Sequence, residues 1–447
     1  SDYTLNDNAM NNTIRTLLEA YETLGNEEYL EAASAGSNGR QALIALDRVR
    51  LAYNPEPWSG QEEELRALMA RAESATGPAA AQLANQADQR WRALKRGFTP
   101  RIPPIDAVGL ERRLGGLSGD ESILSYYFSP AAAYAVLAKR NGVSMVRLAG
   151  SSALTGQLDR LRQSWEENNG DPLPYLDALG RSLLQPIAKD LTRKIYLLAA
   201  GPLHAFPFDA LRLNNEFLAE NHQVLNLVSL AGSSQVGNDL ASGFRDSVFL
   251  AGNPQAGQDL FSYDVPVSAE VNAVRDAFVG PGLNIVQGVA LQNDEFQDPR
   301  FAEAGLIHLA IPGTLDLAIP DDSRLQMSRT SKESVENNLR PEAIRGLNLN
   351  ASLVVMSRTS VTGRSRSGFD SYLGFVSDFL QNGAASVLVS LQSGSDAETA
   401  LFMTEFYRER AGVQNVSEAL ARTRMRRMKS ASDDNFMSWA GFQLYIR

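Results

Sequence analysis

Five short apolar runs constrain this chain more than any other feature: Ile195-Tyr-Leu-Leu-Ala, Val248-Phe-Leu-Ala, Leu306-Ile-His-Leu-Ala, Leu353-Val-Val-Met-Ser and Val387-Leu-Val-Ser-Leu. Continuous runs of this kind read as strands buried on both faces. Each is followed by loop chemistry and then a helix candidate. Repetition of that unit predicts an α/β domain with a mainly parallel sheet over residues 191–447.

Upstream the pattern differs. Residues 1–101 show apolar positions at three- and four-residue spacing, as in Ile14, Leu17, Leu18 and Tyr21 and again in Leu43, Leu46 and Val49, which predicts a helical domain. Asn54-Pro55-Glu56-Pro57 and Thr76-Gly77-Pro78 divide it into several helices. The stretch from Gln41 to Pro57 resembles a tetratricopeptide unit, but no period of about 34 residues recurs, and an irregular helical domain is the better expectation. Phe98-Thr-Pro-Arg-Ile-Pro-Pro cannot continue a helix and reads as a linker. Between it and the α/β domain, residues 102–190 read as meandering strands at Ile123–Phe128, Ala132–Ala138 and Ser144–Leu148, then an amphipathic helix around Leu154–Trp165.

Composition narrows the chemistry. The chain has 447 residues, 44% of them hydrophobic, ample for a large core. A formal charge of -10 gives no footprint for nucleic acid, and no apolar stretch is long enough to span a bilayer. There is no cysteine, which removes disulfides, thiolate metal sites and a cysteine nucleophile together. No phosphate-binding glycine pattern follows any strand, and no cofactor or metal is expected. The chain begins at Ser1, which suits removal of a leader, so exported and cytoplasmic locations both stay open.

Sites in α/β sheets form beyond the carboxyl ends of strands, so the residues after the apolar runs carry the functional reading. Gly201-Pro-Leu-His-Ala-Phe-Pro-Phe-Asp-Ala-Leu211 resembles G-x-L-x-x-L-P-F-x-A-L of CHAT domains, caspase-like peptidases often attached to helical repeats. Phe249-Leu-Ala-Gly-Asn-Pro with the helix from Glu270 to Phe278 resembles the family's next strand and its E-x-x-x-[IV] helix. His308 to Gly313 is similar to H-x-A-T-H-G, and Leu353 to Gly363 to L-V-V-L-S-A-C-E-T-G with one extra residue. Phe379 to Gln392, then Asp396, Phe406-Tyr407 and Trp439-Ala-Gly-Phe, resemble the family's closing segments.

The resemblance implies an α/β caspase-like fold from about Ile123 to Arg447, preceded by the helical domain. In the family the histidine before the glycine is the general base and the cysteine is the nucleophile. Here Pro312 and Thr359 stand at those positions. Proline has no titratable group and a threonine hydroxyl is a poor nucleophile without a base, so the inherited mechanism is lost. The expectation is a pseudopeptidase that binds a protein or peptide partner in the old cleft, with His308, Gly313, Ser357, Arg358, Arg364, Arg366 and Asp396 as candidate contacts. Two other readings stand beside it. One is a residual hydrolase using Thr359, Ser357 or Ser360; the other is a structural envelope component that binds through its helices. His308 and His204 are expected to serve structure. Asp396 fits a capping box in Ser395-Asp-Ala-Glu398. The basic run Arg422, Arg424, Arg426, Arg427 and Lys429 reads as a solvated helix face.

Overall fold

The computed structural model describes most residues from Ile105 to Ile446, together with scattered earlier positions such as Leu43 and Asp47; internal segments including 232–246, 253–264 and 363–373 lie outside the described residues. The helical expectation for residues 1–101 therefore falls almost entirely outside them.

The described chain opens with helix α1 (Ala107–Gly115), capped by the Asp106 carboxylate on the Gly109 amide. Three antiparallel strands follow, β1 (Glu121–Phe128), β2 (Ala133–Lys139) and β3 (Gly142–Arg147), then helices α2 (Ser151–Glu166) and α3 (Leu173–Leu183). Strand β4 (Lys194–Leu198) leads to a small hairpin, β5 (Arg212–Leu213) with β6 (Glu216–Phe217), helix α4 (Leu218–Asn221) and strand β7 (Gln223–Leu227). Then come β8 (Ser247–Gly252), α5 (Val265–Ala277), β9 (Gly282–Gln287), α6 (Pro299–Glu303) and β10 (Leu306–Ala310). Four short strands surround the end of β10 and its neighbour: β11 (Gly313–Asp316), β12 (Arg324–Gln326), β13 (Asn338–Leu339) and, after β14 (Leu353–Met356), β15 (Thr359–Thr362). The chain closes with α7 (Phe375–Gln381), β16 (Ser386–Ser390), α8 (Asp396–Gly412), α9 (Val416–Met428), α10 (Met437–Ala440) and β17 (Phe442–Ile446).

Eleven of these strands form one sheet in the order β3-β2-β1-β4-β7-β17-β16-β14-β10-β8-β9. Every neighbouring pair from β16 outward to β9 is parallel, and so is every pair from β17 back to β1. The two blocks meet at β16 and β17, which are antiparallel. All five apolar runs lie in this sheet, and the upstream meander joins the same sheet through β1 and β4. One expectation is corrected by the reversal. The loop after β4, carrying Leu203 to Leu211, leaves the sheet at the opposite end from the loops after β10 and β14, because β4 runs against them.

Both faces are covered, which explains the unbroken apolar runs. In β10, Leu306 and Ala310 face one core layer while Ile307 and Leu309 face the other; β14 divides likewise into Leu353 and Val355 against Val354 and Met356. Each such side chain, fully enclosed, contributes about 1.5–3 kcal/mol. At the far end of the sheet from the β10 and β14 loops, the buried Asp47 accepts hydrogen bonds from the Leu230 amide at 2.6 Å, the Ile105 amide at 2.9 Å and the Ser229 hydroxyl at 3.1 Å. This carboxylate ties the upstream region to the loop after β7.

Gly180 in α3 sits against the Arg212 backbone of β5 so closely that a Cβ would lie 1.7 Å from the Arg212 carbonyl oxygen. Gly180→Ala is therefore expected to lower stability by about 1–3 kcal/mol despite alanine's better helix propensity, because rigid backbone must move. Denaturant unfolding of the two proteins measures the difference.

Candidate functional site

Beyond the carboxyl ends of β10 and β14 the chain turns into a second, four-stranded sheet, β13-β12-β11-β15. This sheet brings the two sequence-predicted positions together. Gly313 of β11 pairs with Thr359 of β15, the Gly313 amide donates to the Arg358 carbonyl at 3.1 Å, and the Pro312 carbonyl accepts from Gln326 at 2.8 Å. Glycine is required at 313 by close approach: a Cβ would meet the Leu325 side chain at 2.5 Å and the Arg324 carbonyl at 2.7 Å.

Thr359 is fully buried. Its hydroxyl donates to the Ser390 carbonyl at the end of β16, 2.6 Å away. A hydroxyl committed to a carbonyl and closed from solvent has neither a base to take its proton nor an approach for a substrate carbonyl. Half-buried Pro312 supplies no base beside it.

His308 lies four residues earlier and faces the helices α5 and α8. One ring nitrogen, Nε2, is 2.9 Å from Glu270 of α5, and the other, Nδ1, is 2.8 Å from the Tyr407 hydroxyl of α8. Glu270 also receives Arg358 Nε at 2.9 Å. All four side chains are buried, none more than 3% exposed. Burial alone would raise the Glu270 carboxyl, but the hydrogen bond from His308 and the Arg358 guanidinium hold it below its ordinary value, helped by the neighbouring Ser357 hydroxyl. That hydroxyl forms no well-shaped hydrogen bond of its own. Tyr407 is pushed well above its ordinary value by burial and by the Glu270 charge, so it keeps its proton and donates to Nδ1. An ionised Glu270 in turn requires the proton of His308 on Nε2. The chain of groups is thus Tyr407 to His308 to Glu270, closed by Arg358 from the loop that carries Thr359.

This arrangement corrects the expectation that His308, Ser357 and Arg358 contact a partner. Their side chains point into the protein, because β10 and β14 are covered by α5 and α8, and they hold the loop in place instead. Gly313 remains at the half-exposed surface. Asp396 is the first residue of α8. Ser395, the other half of the proposed cap, and the Arg364 and Arg366 loop lie outside the described residues. Glu270 was visible in the sequence only as the start of a helix motif; the signal for its role was the histidine inside an apolar strand, which must find a partner when buried.

The basic run on α9 is likewise corrected in part. Arg422, Arg426 and Lys429 are exposed, whereas Arg424 and Arg427 are buried. Arg424 pairs with Asp209 at 2.8 Å and also donates to the Phe442 carbonyl. The second Asp209 oxygen accepts from Gln443 at 2.8 Å, and Gln443 accepts from Asn226 at 2.9 Å. Burial raises the Asp209 carboxyl against the opposing pull of Arg424 and Gln443. Among the described residues no cluster of His, Asp or Glu could hold a metal ion, and no helix is long and apolar enough to cross a membrane.

A sheet covered on both faces, with a second small sheet joining the loops after its central strands, defines the caspase-like class. Residues 173–447 match the CHAT domain family, and the chain belongs to that family. No curated protein matches its sequence. Among solved structures, the separase–securin complex of Saccharomyces cerevisiae superposes with a TM-score of 0.53 at 10% identity, covering 98% of this chain and 37% of that one. The chain thus spans little more than a third of that protein. The Arg-specific cysteine proteinase gingipain R gives a TM-score of 0.39 at 9% identity over 61% of this chain and 67% of its own. Within a family of cysteine peptidases, a chain without cysteine lacks the thiol on which the family's reaction runs.

Replacing Arg358 by Met leaves the buried Glu270 without its cationic partner and is expected to destabilise by about 3–5 kcal/mol at neutral pH. Glu270 has a depressed folded value, so the stability it confers is present above its ordinary value near 4.5 and lost as pH falls through the folded one. The cost of Arg358→Met should therefore be full at pH 7 and shrink in acid. Denaturant unfolding at pH 7 and near pH 4 tests both the size and the sign.

Proposed function

We propose that this protein is a pseudopeptidase: a CHAT-family member that binds a polypeptide without cutting it and acts as an adaptor or scaffold. The observation that carries the proposal is the pairing of Pro312-Gly313 with Arg358-Thr359, in which the nucleophile position is a buried threonine bonded to Ser390 and the base position has no titratable group. The loops that would surround a substrate are still brought together at the ends of β10 and β14. Main-chain groups at a strand edge hold an extended peptide whether or not catalytic side chains remain.

The separase structure it superposes on was solved as a complex with securin. For the present chain the contact residues proposed are Gly313 and the Arg364 and Arg366 loop. Ser357 and Thr359 are both closed from solvent, which disfavours them as nucleophiles; of the three candidate hydroxyls only Ser360 is half-buried.

The test has two arms. Incubated with a degenerate peptide library, the purified chain should release no new termini, and Thr359→Ala should behave identically. A photo-crosslinking residue placed at position 366 should capture a whole polypeptide from a native extract. Fragments with one consistent terminus that vanish in Thr359→Ala would show a working hydrolase and overturn the proposal.

A further inference from the structure

Outside the CHAT loops, the described residues form a cleft of about 560 Å³ between α9, α4 and the residues leading into β4 and β7. Arg193, Arg422, Arg426 and Lys429 line it, against the carboxylates of Glu220 and Glu409. A chain of net charge -10 thus gathers four cations and two anions in one hollow. Two of the cations have carboxylate partners, Arg422 with Glu418 and Arg426 with Glu409. Arg422 and Glu418 are both well exposed, at 50% and 44%, and a pair so exposed is worth little and yields readily to a competing anion, whereas Glu409 is only 13% exposed and holds Arg426 more firmly.

Spacing sets the ligand's shape. Arg422, Arg426 and Lys429 are four and then three residues apart on α9, a row roughly 10 Å long on one helix face. Arg193 faces it from the start of β4. A row of that length suits carboxylates on alternate residues of an extended peptide, which recur about every 6.6 Å. Among the lining residues there is no Phe, Tyr or Trp on which a nucleobase could stack. Ala219, Ala421 and Met425 give the cleft apolar wall for the peptide's small side chains.

A second observation lies beneath the first. Arg424, on the same helix, is only 3% exposed, and its Nε has no hydrogen-bond partner. It lines a small internal cavity of about 10 Å³ that shares Ala219, His222, Gln223 and Ala421 with the cleft. That volume suits one water molecule. His222 stands between the two spaces with Nδ1 2.6 Å from the Thr192 carbonyl, which fixes the proton on that nitrogen and leaves Nε2 for another partner. The small cavity beside the cleft therefore holds a buried guanidinium, paired with Asp209, that keeps one unused donor.

We infer that this cleft is a second binding site, distinct from the CHAT loops, for a carboxylate-rich peptide segment of a partner protein. Its strength comes from the row on α9 together with Arg193, and it does not depend on the pseudopeptidase reading.

Fluorescence anisotropy of a labelled Glu-Ala-Glu-Ala-Glu-Ala-Glu peptide with the full chain tests it. The expected result is saturable binding that weakens at least about fivefold between low and physiological salt and is absent for the Lys-Ala counterpart. The double variant R422E/K429E, changed at exposed positions and checked by thermal unfolding, should weaken binding by at least about tenfold. R193E, in a separate element, should weaken it as well. Equal binding by the wild type and both variants, or no binding at low salt, overturns the inference. Displacement of the peptide by millimolar inorganic phosphate, or tighter binding of a single-stranded oligonucleotide at the same residues, also overturns it by assigning the cleft to another ligand.

Discussion

Strand β17 runs antiparallel to β16 on one side and parallel to β7 on the other, and this one reversal decides which loops of the molecule can meet. Had the sheet been parallel throughout, the loop after β4 would join those after β10 and β14. Instead the starts of β4 and β7 share the edge where β10 and β14 finish. The basic cleft and the Pro312–Thr359 pair consequently open on the same edge of the sheet. β7 and β14 are separated by three strand spacings, roughly 14 Å.

The Glu270 network shows how charged side chains are held inside the fold. Arg358 carries its charge into a region where an isolated ion would be intolerable, and the Glu270 carboxylate neutralises it there. In exchange the loop between β14 and β15 is fastened to α5, and through His308 and Tyr407 to β10 and α8. Breaking any member leaves another buried and underpaired. The loop between β14 and β15 is thus held by a polar lattice of four buried side chains.

Much of the fold was legible in the sequence because five strands are buried on both faces and read as continuous apolar runs. The central strands β7 and β17 were not. Asn226 interrupts Gln-Val-Leu-Asn-Leu and Gln443 interrupts Phe-Gln-Leu-Tyr-Ile; each looks like a surface residue until its amide is seen to satisfy the other across the sheet. Pro312 and Thr359 were found from motif positions, and their proximity followed from the topology. That Arg358 and Ser357 face inward could not be read, since the sequence shows a charged residue in a loop and only the covering helices make it interior. The burial of Arg424 had the same cause: its partner Asp209 lies 215 residues away.

The position of β17 bears on how the molecule is made. Residues 442–446 form the strand that joins the two parallel blocks, so on the ribosome the blocks exist as separate pieces with complementary raw edges until those residues emerge. Each edge would present unpaired amides and carbonyls and apolar side chains meant for the interior. Completion of the sheet is a late, long-range event, and the interval before it is when this chain is most exposed to pairing with another copy or to capture by a chaperone.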